Sequence, residues 1–175
     1  RYETTSEGDS VSLATKRTAT FANRKIIMTS TPTIDGASRI QDAWEESDKR
    51  HFHVPCPHCK EKQKLEWANV KWDEAKDAHM VCIHCGSVIE EKDKIWMIRN
   101  GEWIAEEETY KTAGFHLNEL YSVWRSWSEV VESFLNAKEH PDQLRVFVNT
   151  SLGQVWQSDA EEIESDSLLN RRENY

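Results

Sequence analysis

All four cysteines of this chain fall into two Cys-x-x-Cys pairs, in VPCPHCK at 54–60 and VCIHCGS at 81–87. No other feature restricts the fold as much. Two thiols three residues apart on a tight turn converge on one point, and a second such turn completes a tetrahedron of sulfur. The 22 residues between the pairs, 60–81, slightly exceed the roughly 15–20 usual in ribbons of this kind. Pro55 and Pro57 stiffen the first turn, and Gly86 follows the second, where the backbone must bend sharply. In a chain without secretory signals, paired Cys-x-x-Cys turns favour a metal over disulfides. The spacing predicts a structural zinc on Cys56, Cys59, Cys82 and Cys85, with a rubredoxin-like iron on the same ligands as the alternative. Four thiolates close the shell and leave no position for water, so the metal serves the fold and not the chemistry. His58 and His84, each the last x of its pair, read as exposed side chains of the turns.

Composition bounds what surrounds this site. The 175 residues suffice for one domain, or for a domain with a small inserted module. Eight tryptophans and 38% hydrophobic residues supply a core, while 30% charged residues and a mean hydropathy of −0.76 describe a soluble chain. No run approaches the roughly 18 apolar residues of a membrane span. The opening RYETTSEGDS has neither the basic nor the apolar part of a signal peptide and reads as a cut into a longer polypeptide. A net charge of −9 gives no support to nucleic-acid binding by bulk charge, although it leaves room for a local basic groove.

Along the chain the pattern changes twice. Residues 1–50 read as helix, strand, loop, helix. Asp9 and Ser10 cap a modestly helical stretch to about Phe21. The apolar run Ile26-Ile27-Met28 suits a strand buried on both faces, ending in Thr29, Ser30, Thr31 and Pro32. A turn at Asp35-Gly36 leads to a helix capped by Ser38, with Ile40, Ala43 and Trp44 on one face. Residues 51–105 are short β segments around the cysteines, an inserted module. Trp67, Trp72, Trp96 and Trp103 serve its small core, or some of them stack on bases. Residues 106–157 return to a strand in GFHLNELYS and two helices. Ser126 and Glu129 form a capping box, followed by Trp127, Val130, Val131, Phe134 and Leu135 at helical spacing. Pro141 opens the second helix, with Leu144, Phe147, Val148 and Leu152 apolar and Gly153 placed to stop it. Residues 158–175 are polar and acidic, a linker. The alternation is that of an α/β fold.

Three stretches together resemble one family. They are EGDSVSLATKRTATFANRKIIMTSTPT, the two cysteine pairs, and AGFHLNELYSVWRSWSEVV with FVNTSLGQVW. The family is that of the large terminase subunits of tailed bacteriophages, lambda A-protein type. The resemblance implies part of a P-loop (RecA-like) ATPase domain interrupted by a β-rich four-cysteine zinc ribbon, leading through the linker to a nuclease domain. It implies a motor that couples ATP hydrolysis, with Mg, to translocation of double-stranded phage DNA, and a nuclease that cuts concatemeric DNA. The small terminase subunit and the portal protein are the implied partners, and the cytoplasm of the bacterial host the implied location. No G-x-x-x-x-G-K-[ST] occurs in the sequence, and no apolar strand ends in Asp-Glu, so phosphate cradle and metal carboxylates are expected outside this stretch.

Three sets of residues gain a role only through that resemblance. The hydroxyls of Thr29, Ser30 and Thr31 would sense the γ-phosphate and couple its loss to DNA movement, since a hydroxyl switches between donor and acceptor. Read by themselves, they terminate a strand and cap a turn. Arg17 would act as an arginine finger, with Lys16 and Arg24 nearby; read by themselves, all three are surface charge. Asn118 would line the nucleotide pocket; read by itself, it is a polar residue at a strand end. The rival function is a non-enzymatic zinc-ribbon module binding nucleic acid or protein, and a third reading is a structural adaptor touching neither nucleotide nor DNA.

Overall fold

The computed structural model describes residues 9–108 and 111–157, and everything below concerns those residues. The chain divides into two compact units, 1–30 and 31–175, each described by itself.

In the first unit the helix α1 spans Ser10–Arg17. The Asp9 carboxylate caps it by accepting from the Ser12 amide at 2.8 Å, and Lys16 and Arg17 occupy its last turn, where cations suit the negative end of the helix. No residue of α1 is buried. The expected buried strand over Ile26–Met28 is not formed. Those residues carry no regular secondary structure and are 45%, 76% and 45% exposed. The physical reason is that a strand needs a neighbour to take its backbone hydrogen bonds, and none of the pairings among the described residues involves this segment.

The second unit is a mixed helix and sheet structure. Thr33 and Asp35 bond on either side of Trp156, through Trp156 N to Thr33 O at 2.9 Å and Asp35 N to Trp156 O at 3.1 Å. Helix α2, Arg39–Glu45, starts after Ser38 as expected, but the Ser38 hydroxyl accepts from Thr33 N at 3.1 Å and makes no bond to the helix. The long strand β1, Arg50–Pro55, then organises a sheet. It pairs antiparallel with β2, Lys62–Gln63, and with β6, Glu102–Ile104. It also pairs parallel with β7, Phe115–His116. A second antiparallel sheet is built by β3, Val70–Lys71, β4, His79–Val81, and β5, Val88–Ile89, in that order. Helix α3, Lys94–Arg99, joins the sheets.

Helix α4 spans Trp127–Ala137 and has the capping box read from Ser126 and Glu129. Its Trp127, Val130 and Val131 are fully buried. Helix α5, Pro141–Val146, continues into a π-helical turn at Phe147–Ser151, which widens the coil. Gly153 ends it at φ 65°.

The 51–105 stretch and the residues after it share one core. Val54, Leu65, Val70, Met80, Ile89 and Met97 cluster with Leu120, Tyr121, Trp127, Val130 and Val131. Tyr121 ties the two: its hydroxyl donates to Phe52 O at 2.5 Å and accepts from Leu65 N at 2.8 Å. The buried Lys94 ammonium is satisfied by Glu91 at 2.7 Å and by Arg125 O at 2.8 Å. Trp67 and Trp72 pack against Phe134, with Phe147 on Trp67, so these two indoles serve the core. Trp96 and Trp103 remain 41% and 38% exposed.

Candidate metal centre

The two Cys-x-x-Cys turns are built alike. In the first, Cys56 N donates to Glu61 O at 2.9 Å and Lys60 N to Cys56 O at 3.0 Å. In the second, Cys82 N donates to Ser87 O and Gly86 N to Cys82 O, both at 3.0 Å. The residue after each second cysteine takes a positive φ, 68° at Lys60 and 70° at Gly86. Glycine adopts that conformation freely, whereas at Lys60 the turn imposes it. The His58 and His84 amides each point at the first cysteine of their own turn, 3.4 Å from Cys56 Sγ and from Cys82 Sγ. Gln63 adds a brace, its buried side chain accepting from Ile83 N at 2.9 Å.

These turns bring Cys56, Cys59, Cys82 and Cys85 together, with all four sulfurs within 4.8 Å of one another. Cys56 Sγ lies 3.9 Å from Cys85 Sγ, and Cys59 Sγ 3.8 Å from Cys82 Sγ. A tetrahedron with metal–sulfur bonds of about 2.3 Å has edges of about 3.8 Å, and a disulfide needs about 2.05 Å. The spacing fits a tetrahedral ion and excludes disulfides among these four. The electrostatics agree. The Ser87 hydroxyl and amide pull the Cys85 thiol down to about 6. At Cys59 the Glu61 amide acts downward, but burial and the adjoining thiols outweigh it and push the group up to about 12. Burial also raises Cys56. Four clustered sulfurs resist sharing several negative charges, and a bound cation removes that penalty.

The other sequence-derived residues lie elsewhere. Arg17 is the exposed last residue of α1, and Thr29, Ser30 and Thr31 are exposed and outside regular secondary structure. Asn118 does border a cleft of about 440 Å³ with His51, Lys64, Trp67 and His116. Its amide is spent on the chain, however, donating to Leu65 O at 2.8 Å and accepting from Leu120 N at 3.0 Å. A second cleft of about 550 Å³ shares His51 and His116 and adds Trp44 and Trp156. Sequence reasoning missed this pair of histidines, which become neighbours only when β7 pairs with β1 in the register His51 to His116. Burial depresses His51 below the ordinary imidazole range.

Comparison with known proteins adds the family. The phage terminase large subunit gpA ATPase domain matches residues 1–103, and the terminase large subunit gpA endonuclease domain matches residues 112–175. The large terminase subunit of Enterobacteria phage P21 is 30% identical over 198 aligned residues, which cover 97% of this chain and 30% of that protein. That of Escherichia phage lambda is 29% identical over 196, covering 97% and 31%. The chain thus spans about 30% of the length of these relatives. No solved structure gives a significant match. The endonuclease match begins within residues that the sequence pattern assigns to a return of the ATPase core, and it runs through the acidic 158–175, which lies outside the described residues.

Proposed function

This chain belongs to the gpA family of phage terminase large subunits, and from that premise we propose that it works as a segment of a DNA-packaging motor. The whole subunit couples ATP hydrolysis, with Mg, to translocation of double-stranded DNA, and cuts concatemeric DNA with its nuclease part. The small terminase subunit and the portal protein are its partners, and the bacterial host cytoplasm is where it acts. The observation that carries the reading is the succession of an ATPase match over 1–103 and an endonuclease match over 112–175 on one chain.

Within that subunit, residues 1–50 belong to a P-loop (RecA-like) core, and Thr29, Ser30 and Thr31 with Arg17 respond to the γ-phosphate. The four-cysteine site holds one structural zinc. The support is its near-tetrahedral sulfur spacing, the closed thiolate shell, and the position of the site beside the core that 51–105 shares with the following residues. When bound, the ion supplies charge neutralisation and a cross-link between the turns, while the protein's own residues hold the thiolates in place. This site therefore serves as the brace of the joint where the two matched domains meet.

The test is packaging by the intact subunit, reconstituted with empty capsids and linear DNA. ATP-dependent protection of the DNA from added nuclease is expected. Ser30→Ala or Thr31→Ala should leave ATP binding nearly unchanged and reduce translocation about ten- to a hundredfold, the effect of losing a hydrogen bond to a charged group. Binding of DNA without any ATP dependence would instead establish the rival zinc-ribbon binding module. Wild-type translocation in both variants would remove the hydroxyls from the coupling.

A further inference from the structure

His58 and His84 are exposed, each one residue before the second cysteine of its turn, and neither ring bonds to the sulfurs. Each ring reaches across to the opposite half of the site. His58 Nε2 lies 3.0 Å from Val88 O, and His84 Nε2 lies 3.0 Å from Lys62 O. Val88 and Lys62 stand at corresponding places, each six residues after the first cysteine of its own turn. The two bonds are therefore one contact made twice, related by the same twofold repeat that matches Lys60 with Gly86. A carbonyl oxygen can only accept, so each imidazole donates from Nε2.

We propose that His58 and His84 are positioning residues of the metal site, a reciprocal pair of clasps that fixes the distance between the two cysteine turns. This inference rests on the zinc reading above. Its logic is mechanical. Each turn sets the geometry of its own two sulfurs through local bonds, Cys56 N to Glu61 O and Cys82 N to Ser87 O. Those bonds say nothing about where the other turn sits. The edges Cys56–Cys85 and Cys59–Cys82 run between the turns, and only contacts that bridge the turns can hold them. The two histidines do so, together with Gln63, which reaches Ile83 N. Hydrogen bonds that orient a site's ligands from outside the shell typically change metal affinity about 10–100-fold when removed, and these clasps orient the same ligands through the turns that carry them.

The experiment follows zinc transfer from the purified protein to a colorimetric chelator. His58→Ala and His84→Ala should each speed zinc loss and weaken affinity about 10–100-fold, to similar extents because the contacts are equivalent. His58→Gln and His84→Gln, which keep an N–H donor near the Nε2 position, should recover most of the loss. His79→Ala is the control: this half-buried histidine in the same module contacts Asp77 O at 3.0 Å, within its own segment, so zinc loss should match wild type. The thermal midpoint of each variant, read with zinc saturating and with zinc stripped, identifies any variant that does not fold, and the glutamine pair then decides. Wild-type release rates in the alanine variants would overturn the clasp. So would equal damage from alanine and glutamine. A wild-type protein that binds no zinc by elemental analysis would overturn the zinc reading and the clasp with it.

Discussion

Residues 9–30 and residues 50–152 carry comparable apolar runs and end up in opposite states. In the first stretch α1 buries no residue, and Phe21 and Ile27 are 65% and 76% exposed. In the second, Val54, Leu65, Ile89, Leu120 and Trp127 are each 1% exposed or less. Hydrophobicity does not separate them. A helix closes its own hydrogen bonds and needs only caps, so Asp9 suffices to start α1. A strand and a core are made jointly with other residues, and only the second stretch has those residues beside it.

The comparison breaks hardest at the four-cysteine site. Cys82→Ser should abolish stoichiometric zinc, measured by elemental analysis, and cost the second unit about 5 kcal/mol or more by denaturant titration. Structural zinc contributes roughly 10–16 kcal/mol of apparent binding energy in small peptides, and the core around Tyr121 and Trp127 tempers what is lost here. The α1 helix should be indifferent to the same substitution, read as unchanged amide exchange over 10–17. Retained zinc in Cys82→Ser would remove that cysteine from the ligand set.

Trp127→Ala comes next, at about 3–5 kcal/mol. Its indole is fully buried and donates Nε1–H to Leu120 O at 3.0 Å, so truncation opens a cavity and orphans a carbonyl. A loss below about 1 kcal/mol would mean that α4 does not share the core.

Tyr121→Phe should cost about 1–3 kcal/mol, because Leu65 N loses its acceptor in a buried place. This substitution also has a pH signature. Burial raises the phenol from 10.0 to about 12. The folded form therefore keeps a proton that the unfolded chain releases sooner, and stability falls as pH rises from 10 towards 12. The phenylalanine variant should lose less stability over that interval than wild type does. Parallel titration curves would show that Tyr121 is not the group responsible.

How much of this was legible follows from the same contrast. The clustering of the four cysteines was readable because spacing alone brings thiols together. The capping box of α4 and its buried face were readable because their geometry is local. Pairing of β7 with β1 was not, since it joins residues 65 apart in sequence through a two-residue bridge, and with it went the His51–His116 pair, whose rings stand 5.3 Å apart. The reach of His58 and His84 across the site escaped for a similar reason: each ring meets a backbone carbonyl, which no side-chain pattern advertises. Ile26–Met28 misled because a continuous apolar run states a need for burial and not the presence of a partner.

The smallest expected effect is the most discriminating. In this chain Ile27→Ser should change stability by less than about 0.5 kcal/mol, as for a surface site without special contacts, because the side chain is already 76% exposed. In the intact subunit the proposed P-loop core implies a different outcome. There a strand at 26–28 would lie between parallel neighbours and be covered on both faces, and the same serine would leave a buried cavity and a hydroxyl in need of a partner, at about 2–4 kcal/mol. The measurement is the same denaturant titration in both contexts, with Ile104→Ser as a companion at a 37% exposed position in a paired strand. A small cost in both contexts would count against placing this segment in an α/β sheet. A large cost in the short chain would show that 26–28 is covered there after all, and the contrast between the two regions would fall.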